Sequence, residues 1–359
     1  MLRTIEELLD FKEVKNILSN YAETPGGENY CQNLRWFTDQ ERILLLLDEL
    51  DEIITLINHI PDISLSGLKD NEDILKKIVP ENSFLKPEEV LSIYFNLQLS
   101  RSIKKRISKV INDLPNIKEY YLKIVNLKDL ESKIERVIDI KNVMVKDSAS
   151  PELSKIRKTL NEIQRKVKRE IEKIVADDDL QKMLMDNYFT IKDNRFVIPL
   201  RVEYKNKIKG IIHGFSSSKQ TVYIEPEKIV ELDNRIVELK NNEKEEVKKI
   251  LILLSDKIRE HINDIRKNYK TLTYFDFLLA KGRYSLKRKL NRPRLSNNIL
   301  KIIDGRHPLL IEQPEKTVIP VSIKNTENTR ILVITGPNTG GKTITLKLIG
   351  LIQILFQAG

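Results

Sequence analysis

Two kinds of hydrophobic period alternate along the chain. To about residue 145, apolar positions recur at helical spacing in short to medium runs. Thr38 followed by Glu41 fits a capping box opening a helix over 43–57. Pro87 suits the first turn of a helix holding Val90, Leu91, Tyr94 and Leu97, while Pro61, Pro80 and Pro115 stand between helices. Ser150-Pro151-Glu152 reads as an N-cap with proline at the first helical position. Beyond it Leu153, Ile156, Leu160, Ile163, Val167, Ile171 and Val175 leave one narrow apolar stripe on a charged rod, as in a coiled-coil arm.

Near Asn187 the period shortens. Segments 188–192, 195–202, 208–212 and 221–224 are β-branched or aromatic runs separated by Asp193-Asn194, Gly210, Gly214 and Ser216-Ser217-Ser218. They predict a small antiparallel β unit of three or four strands. After Glu225-Pro226 the helical pattern resumes, with no proline until Pro293. About 60 helical residues would span about 90 Å if unbroken. Strands are then expected at 299–303, 318–323 and 330–335, the last of the fully buried type.

Composition narrows the reading. The 359 residues are enough for two or three packed units, and 40% hydrophobic content supports real cores. A charged fraction of 32% with few aromatics and few glycines points to long solvated helices. Lys and Arg number 62 against 52 Asp and Glu, a surplus that favours polyanion partners, nucleic acid or ribosome, or reflects a lysine-rich composition at large. Cys31 is the only cysteine, so no internal disulfide can form and a reducing compartment is expected. The first ten residues contain Glu6, Glu7 and Asp10 and read as neither a secretory leader nor a basic transit peptide. The apolar runs 43–47 and 250–254 are too short to cross a bilayer, which makes cytoplasmic the expected location.

One motif carries chemistry. Gly336-Pro337-Asn338-Thr339-Gly340-Gly341-Lys342-Thr343 fits the phosphate-loop pattern G-x-x-x-x-G-K-[ST], with the expected strand 330–335 before it and an apolar helix over 344–357 after it. Glycines let the backbone wrap phosphate oxygens, and the helix N-terminus presents partial positive charge to them. Lys342 is placed to reach the β and γ phosphates of ATP, and the Thr343 hydroxyl to ligate Mg²⁺. A complete catalytic site needs an acidic residue on a later strand, and none follows Glu327 before Gly359, itself suited to a helix C-cap. The expectation is a piece of a longer protein, able to bind ATP weakly and not to turn it over.

Gly336-Pro337-Asn338 with Gly341-Lys342-Thr343 resembles the loops shared by transporter, chromosome-maintenance and MutS ATPases. Gly305-Arg306-His307-Pro308-Leu309-Leu310 looks like the entry to a MutS ATPase domain. Leu8-Leu9-Asp10-Phe11 through Tyr21-Ala22-Glu23-Thr24 and Gly27, and Val222-Tyr223-Ile224-Glu225-Pro226 at the β tip, are similar to the helical core and clamp of the bacterial MutS paralogue family, MutS-two. The resemblance covers nearly the whole chain. It implies a fold that is mainly α, with a small antiparallel β clamp, long helical lever arms and the beginning of an α/β P-loop ATPase domain. The expected divisions are a helical core at 1–145, an outgoing lever helix at 146–187, a clamp tip at 188–225, a returning helix at 226–292, and the start of the ATPase domain at 293–359.

The same resemblance implies a homodimeric ATPase with a C-terminal nuclease domain when the protein is full length; neither the acidic strand end nor the nuclease lies in these residues. MutS proper opens with a mismatch-reading domain, whereas the core here starts at residue 1, so mismatch recognition is not expected. Two roles fit: binding branched or duplex DNA to suppress recombination, or sensing and splitting collided ribosomes through rRNA. The rival from another class is a structural coiled-coil ATPase of the chromosome-maintenance type, whose tip would be a dimerising hinge. Lys205, Lys207, Lys209 and Lys219, with no acid between 205 and 219, are the candidate nucleic-acid contacts. A denser basic run, Lys281, Arg283, Lys287, Arg288, Lys289, Arg292 and Arg294, is either a binding surface or a solvated junction; Arg101, Lys104, Lys105, Arg106 and Lys109 read as a helix surface. The resemblance leaves His307 either shaping the adenine pocket or holding a turn. No metal-ligand spacing and no catalytic triad can be read.

Overall fold

The computed structural model describes residues 4–186, 188–193, 195–296, 299–313, 317–326, 328–329, 331–335 and 341–359. It is mostly helical with small antiparallel sheets. The chain opens with α1 (Ile5–Leu8), α2 (Phe11–Ser19), α3 (Pro25–Gln32), α4 (Gln40–His59), α5 (Glu72–Lys77) and α6 (Pro87–Ile107). Then come α7 (Pro115–Lys123), α8 (Lys128–Val137), the short strands β1 (Ile138–Asp139) and β2 (Met144–Val145), α9 (Pro151–Val175) and α10 (Asp178–Gln181). A four-stranded sheet comes next, built of β3 (Thr190–Lys192), β4 (Arg195–Arg201), β5 (Gly210–Phe215) and β6 (Thr221–Pro226). Helices α11 (Glu227–Arg259) and α12 (Ile262–Arg288), strand β7 (Lys301–Gly305), α13 (Pro308–Ile311), strand β8 (Val321–Lys324) and α14 (Lys342–Ala358) complete the order. Among the described residues, no helix is long and apolar enough to cross a membrane.

Several local expectations hold at the level of single caps. Ser150 accepts the Leu153 amide at 3.0 Å with Pro151 in the first turn, and Pro87 opens α6. The expected capping box at Thr38 is displaced by one residue: Asp39 is the N-cap of α4 and accepts the Glu41 amide at 3.0 Å, its short carboxylate reaching the amide two residues on. The long helix expected after 226 is interrupted. His261, at φ −113° and ψ 12°, leaves the helical well, α11 ends at Arg259, and the Ile265 amide restarts the ladder from the His261 carbonyl. No proline or glycine marks this break, so periodicity alone carries the pattern through it.

The chain divides into two compact units. The first comprises Met1–Asp73, Ser92–Lys128 and His261–Gly359. Its axis is α12, which is buried nearly all round from Thr271 to Ser285, the mark of a central core helix. Leu272, Phe275, Leu278 and Leu279 meet Leu18, Cys31, Ile53, Leu56, Ile103 and Ile117 in one cluster. Burial pushes the Cys31 thiol up to about 12, so it packs as an inert small apolar group.

One polar group is set inside this core. Asp276, on α12 and fully buried, accepts the Thr24 hydroxyl at 2.7 Å, the Thr24 amide at 2.8 Å and the Glu23 amide at 3.0 Å. Thr24 in turn caps α3 by accepting the Gly27 amide at 2.9 Å. A side chain at Gly27 would put its Cβ 2.2 Å from the Asp276 carboxylate, so only glycine lets α3 lie this close. Glu23 then holds the Ser64 hydroxyl at 2.7 Å and the Leu65 amide at 2.5 Å, and pairs with Arg283 at 3.0 Å.

The second unit comprises Ile74–Leu91 and Asp129–Glu260. Here α9 and α11 run antiparallel: Ser150 bonds Glu246 at 2.8 Å and Arg157 bonds Glu243 at 2.7 Å near the start of α9, while Val167 and Ile171 share a core with Ile229 and Ile236. The narrow apolar stripe of α9 is therefore covered by its returning partner. The sheet joins the end of α9 to the start of α11, in strand order β3-β4-β6-β5, and lays Ile198, Leu200, Val222 and Ile224 onto the same core.

Replacing Asp276 by alanine strands the Glu23 and Thr24 amides in the core. Asp276→Ala is expected to destabilise the first unit by about 3 kcal/mol, read as a lower urea midpoint in Trp36 emission. Asp276→Asn, which keeps an acceptor, should lose less.

Candidate functional site

The phosphate-loop residues Gly336, Pro337, Asn338, Thr339 and Gly340 lie outside the described residues. Immediately after them, Gly341 takes φ 78°, a left-handed conformation suited to glycine, and serves as N-cap of α14. Lys342 and Thr343 occupy the first turn of that 17-residue helix, beside its free amides. The helix expected over 344–357 is present.

The buried strand expected at 330–335 is not formed among the described residues. Residues 331–335 belong to no ladder, and Ile331 and Val333 are 80% and 73% exposed. A strand of the fully buried type needs a neighbour to satisfy its amides and cover its side chains. The nearby strands β7 and β8 pair with each other instead. Strand-forming residues without a partner strand stay uncovered.

Beside the first turns of α14 lies a cavity of about 280 Å³, lined in part by Asp10, His307, Gln313, Thr343 and Lys347. Lys347 stands one turn beyond Thr343 and reaches both oxygens of Asp10, at 2.7 and 2.9 Å. His307, 4% exposed, sits 3.6 Å from Asp10, and among the described residues neither ring nitrogen has a hydrogen-bond partner. Burial lowers its pKa, opposed by the Asp10 charge and assisted by Lys347. Packing beneath the ion pair joins Phe11 and Val14 of α2 to Leu351, Ile354 and Ala358 of α14.

The second candidate surface is the sheet. Strands β4 and β5 are both antiparallel to β6 and flank it, so residues 202–209 must cross from one end of the sheet to the other. That crossover carries Lys205, Lys207 and Lys209, all exposed. At one end the Val202 amide bonds the Gln220 carbonyl at 3.0 Å, bringing the crossover beside the β5–β6 hairpin that displays Lys219. At the other the Lys209 carbonyl accepts the Glu227 amide, where α11 begins. Lys205 and Lys219 thus stand near one end of the sheet and Lys209 near the other.

The basic run at 281–294 resolves differently. Lys281 is buried over the Phe277 ring, and burial lowers its pKa to about 8. Arg283 bonds the Tyr21 and Ile63 carbonyls, Lys287 lies over Tyr21, Arg288 pairs with Glu312, and Arg292 with Asp48 and Asp51. Charges engaged with their own fold make a poor polyanion surface, so this stretch is chiefly structural. Of the helix-surface set, Arg106 pairs with Asp62 and Lys104 donates to the Ile124 carbonyl.

Within the sheet unit a buried acid pair escaped sequence reading. Glu225, fully buried, is held by His213 at 2.6 Å and Arg195 at 3.2 Å. Asp233 on α11, also fully buried, accepts the Phe196 amide at 2.9 Å, and among the described residues its other oxygen has no hydrogen-bond partner. Desolvation, with Glu225 nearby, raises its carboxyl from 3.8 to about 6.

Curated proteins of known family share this sequence along nearly its whole length. The chain is 32% identical over 350 residues to endonuclease MutS2 of Aquifex aeolicus, covering 98% of this chain and 45% of that protein. It is 34% identical over 366 residues to the endonuclease MutS2 proteins of Halalkalibacterium halodurans and of Bacillus mycoides, covering 100% of this chain and 46% of each. The chain belongs to the MutS2 family. It spans about half the length of these MutS2 relatives. No family model matches it. The segments Leu8-Leu9-Asp10-Phe11 and Tyr21-Ala22-Glu23-Thr24, which resemble MutS2, have defined structural partners: Asp10 binds Lys347, and Glu23 and Thr24 are the residues that Asp276 holds. Nothing in the sequence pairs positions so far apart, so the partners were not legible.

A carboxyl raised by burial means that the folded sheet unit binds a proton more tightly than the unfolded chain. Stability is then greatest below the unfolded value and falls as pH rises from 3.8 towards about 6. Protection of the Phe196 amide against hydrogen exchange, corrected for intrinsic rate, is expected to fall across that window and to become flat in Asp233→Asn.

Proposed function

We propose that this chain grips ATP at the N-terminus of α14 and meets the nucleic-acid backbone through its β tip, as part of a MutS2-type clamp whose arms respond to nucleotide. The observation carrying the nucleotide half is Gly341 at φ 78°, opening an apolar helix on Lys342 and Thr343. Those residues fit a triphosphate: the turn exposes amides, Lys342 supplies a cation for the β and γ phosphates, and Thr343 is an exposed hydroxyl suited to Mg²⁺. Mg²⁺, when bound, would neutralise charge between the β and γ phosphates. The loop residues Gly336, Pro337, Asn338, Thr339, Gly340 and Gly341 complete the proposed cradle through their backbone.

On this reading 1–145 is the helical core, 146–187 and 226–292 carry the arms, 188–225 is the clamp and 293–359 begins the ATPase domain. The clamp proposal is supported by exposed Lys205, Lys207, Lys209 and Lys219 on a small sheet carried by an antiparallel helix pair. Such contacts recognise charge and shape rather than sequence. Branched DNA and the rRNA of a collided ribosome both present closely spaced phosphate backbones. A full-length homodimer closing two clamps around such a duplex is the arrangement we favour. Nuclease activity is proposed for the full-length protein alone.

Two measurements bear on this reading. Lys342→Ala is expected to weaken ATP binding about 10-fold to 100-fold, the loss of one charge-assisted contact, by calorimetric titration; undiminished affinity would refute the loop assignment. Replacing Lys205, Lys207 and Lys219 together by alanine should lower the salt slope of binding by about one unit per lysine. Measured in parallel on four-way DNA junctions and on collided disomes, a change confined to one substrate identifies the partner, and none on either removes the clamp proposal.

A further inference from the structure

Lys347, in the second turn of α14, is claimed by a distant part of the chain. It lies one turn after Thr343, and its ammonium bonds both oxygens of Asp10, a residue 337 positions away in sequence. Asp10 itself is unusual: it takes φ 60° and ψ 23°, the left-handed region, at the cap of α2, yet makes no capping bond of its own. Aspartate tolerates that conformation better than most residues. Its carboxylate is thus turned away from the helix it begins and towards α14.

The rest of α14 is attached to the same N-terminal elements at two further places. In the middle, Phe11 and Val14 share a buried cluster with Leu351, Ile354 and Ala358, and a Cβ at Gly350 would come within 2.7 Å of Leu9. At the far end, the Phe37 amide donates to the Gln357 carbonyl at 3.0 Å. An apolar seam resists separation but not sliding or rotation, because it is non-directional. The Phe37–Gln357 bond gives direction at the far end of α14, and the ion pair gives it beside the loop. The ion pair is also partly solvated, with Lys347 34% and Asp10 19% exposed, and it borders the cavity shared with Thr343. A contact of that kind can be remade when anionic charge arrives one turn away.

We propose that Asp10 is a positioning residue which, through Lys347, fixes the set of α14 against the N-terminal helices and so transmits nucleotide occupancy to them. The proposal rests on the nucleotide reading of Lys342 and Thr343 and adds a route out of that site. Asp10 does not touch the nucleotide; it acts through the helix. His307 is buried 3.6 Å from Asp10 and lines the same cavity.

The chain carries its own reporter. Trp36, the single tryptophan, is 39% exposed and adjoins Phe37 at the far end of α14. In the full chain, ATP affinity would be measured by calorimetry and the ATP-induced change in Trp36 emission by fluorescence. Wild type should bind ATP with a change in emission. Asp10→Ala and Lys347→Met should bind ATP within about twofold of wild type yet lose at least about half of that change, the signature of lost coupling rather than lost binding. Asp10→Glu should restore it in part, and the double variant should lose no more than either single one. Asp10→Asn, nearly isosteric, covers the case in which alanine unsettles α2; matching emission without ATP verifies its fold. An unaltered emission response in Asp10→Asn and Lys347→Met overturns the role of Asp10 while leaving the nucleotide site standing, as does ATP binding by wild type with no emission change. Absence of ATP binding by wild type overturns the nucleotide reading and this inference with it.

Discussion

A carboxylate placed where water cannot reach it organises the first unit. Asp276 would be costly there without donors, and three of its bonds come from Glu23 and Thr24, 252 or 253 positions earlier in the chain. Satisfying one buried charge therefore fixes where the N-terminal turn must lie on α12. The consequence spreads: Thr24 caps α3, Gly27 allows the close approach, and Glu23 organises the loop at 64–66 while pairing with Arg283. Apolar burial supplies most of the driving force, but it would accept several arrangements of α3 on α12. The directional bonds to Asp276 select one.

The same N-terminal elements that Asp276 orders also receive α14. Residues 9 to 14 offer it an apolar surface and a single carboxylate, and Phe37 closes its far end. Here α14 is one continuous helix, held by Asp10 near its start, by Phe11 and Val14 in its middle and by Phe37 at its end. Its attachment to the opening residues of the chain is a property of packing, since no local signal joins residue 10 to residue 347.

The second unit solves a different problem. Its helices are highly charged and bury only a stripe, which α9 and α11 cover for one another. The sheet they carry buries Ile198, Leu200, Val222 and Ile224, leaves Ile211, Ile212 and Phe215 of β5 exposed, and puts its lysines on a turn and a crossover. Cationic side chains on short, hydrogen-bonded connections are held out at low entropic cost, which favours contact with a phosphate backbone. The basic run at 281–294 shows a different fate: Lys281 and Lys287 lie over the Phe277 and Tyr21 rings, while Arg283 and Arg292 are taken up by carbonyls and carboxylates of their own unit.

Local order was legible from residues alone. Proline at the first turn of α6 and of α9, the Ser150 cap, the shift to β-branched residues near 190, and the glycine-lysine-threonine opening of α14 each act through neighbours within a few positions, and each appears where those residues stand. The interruption at His261, the Asp233 and Glu225 pair, the engagement of Arg283 and Arg292, and the grip of Asp10 on Lys347 were decided by tertiary structure. The uncovered segment 331–335 makes the same point in reverse, since an apolar β-branched run becomes a buried strand only when a partner strand completes its hydrogen bonds. Periodicity and capping are short-range and can be read from a string, whereas the protonation, pairing and burial of a side chain depend on groups that only folding brings near.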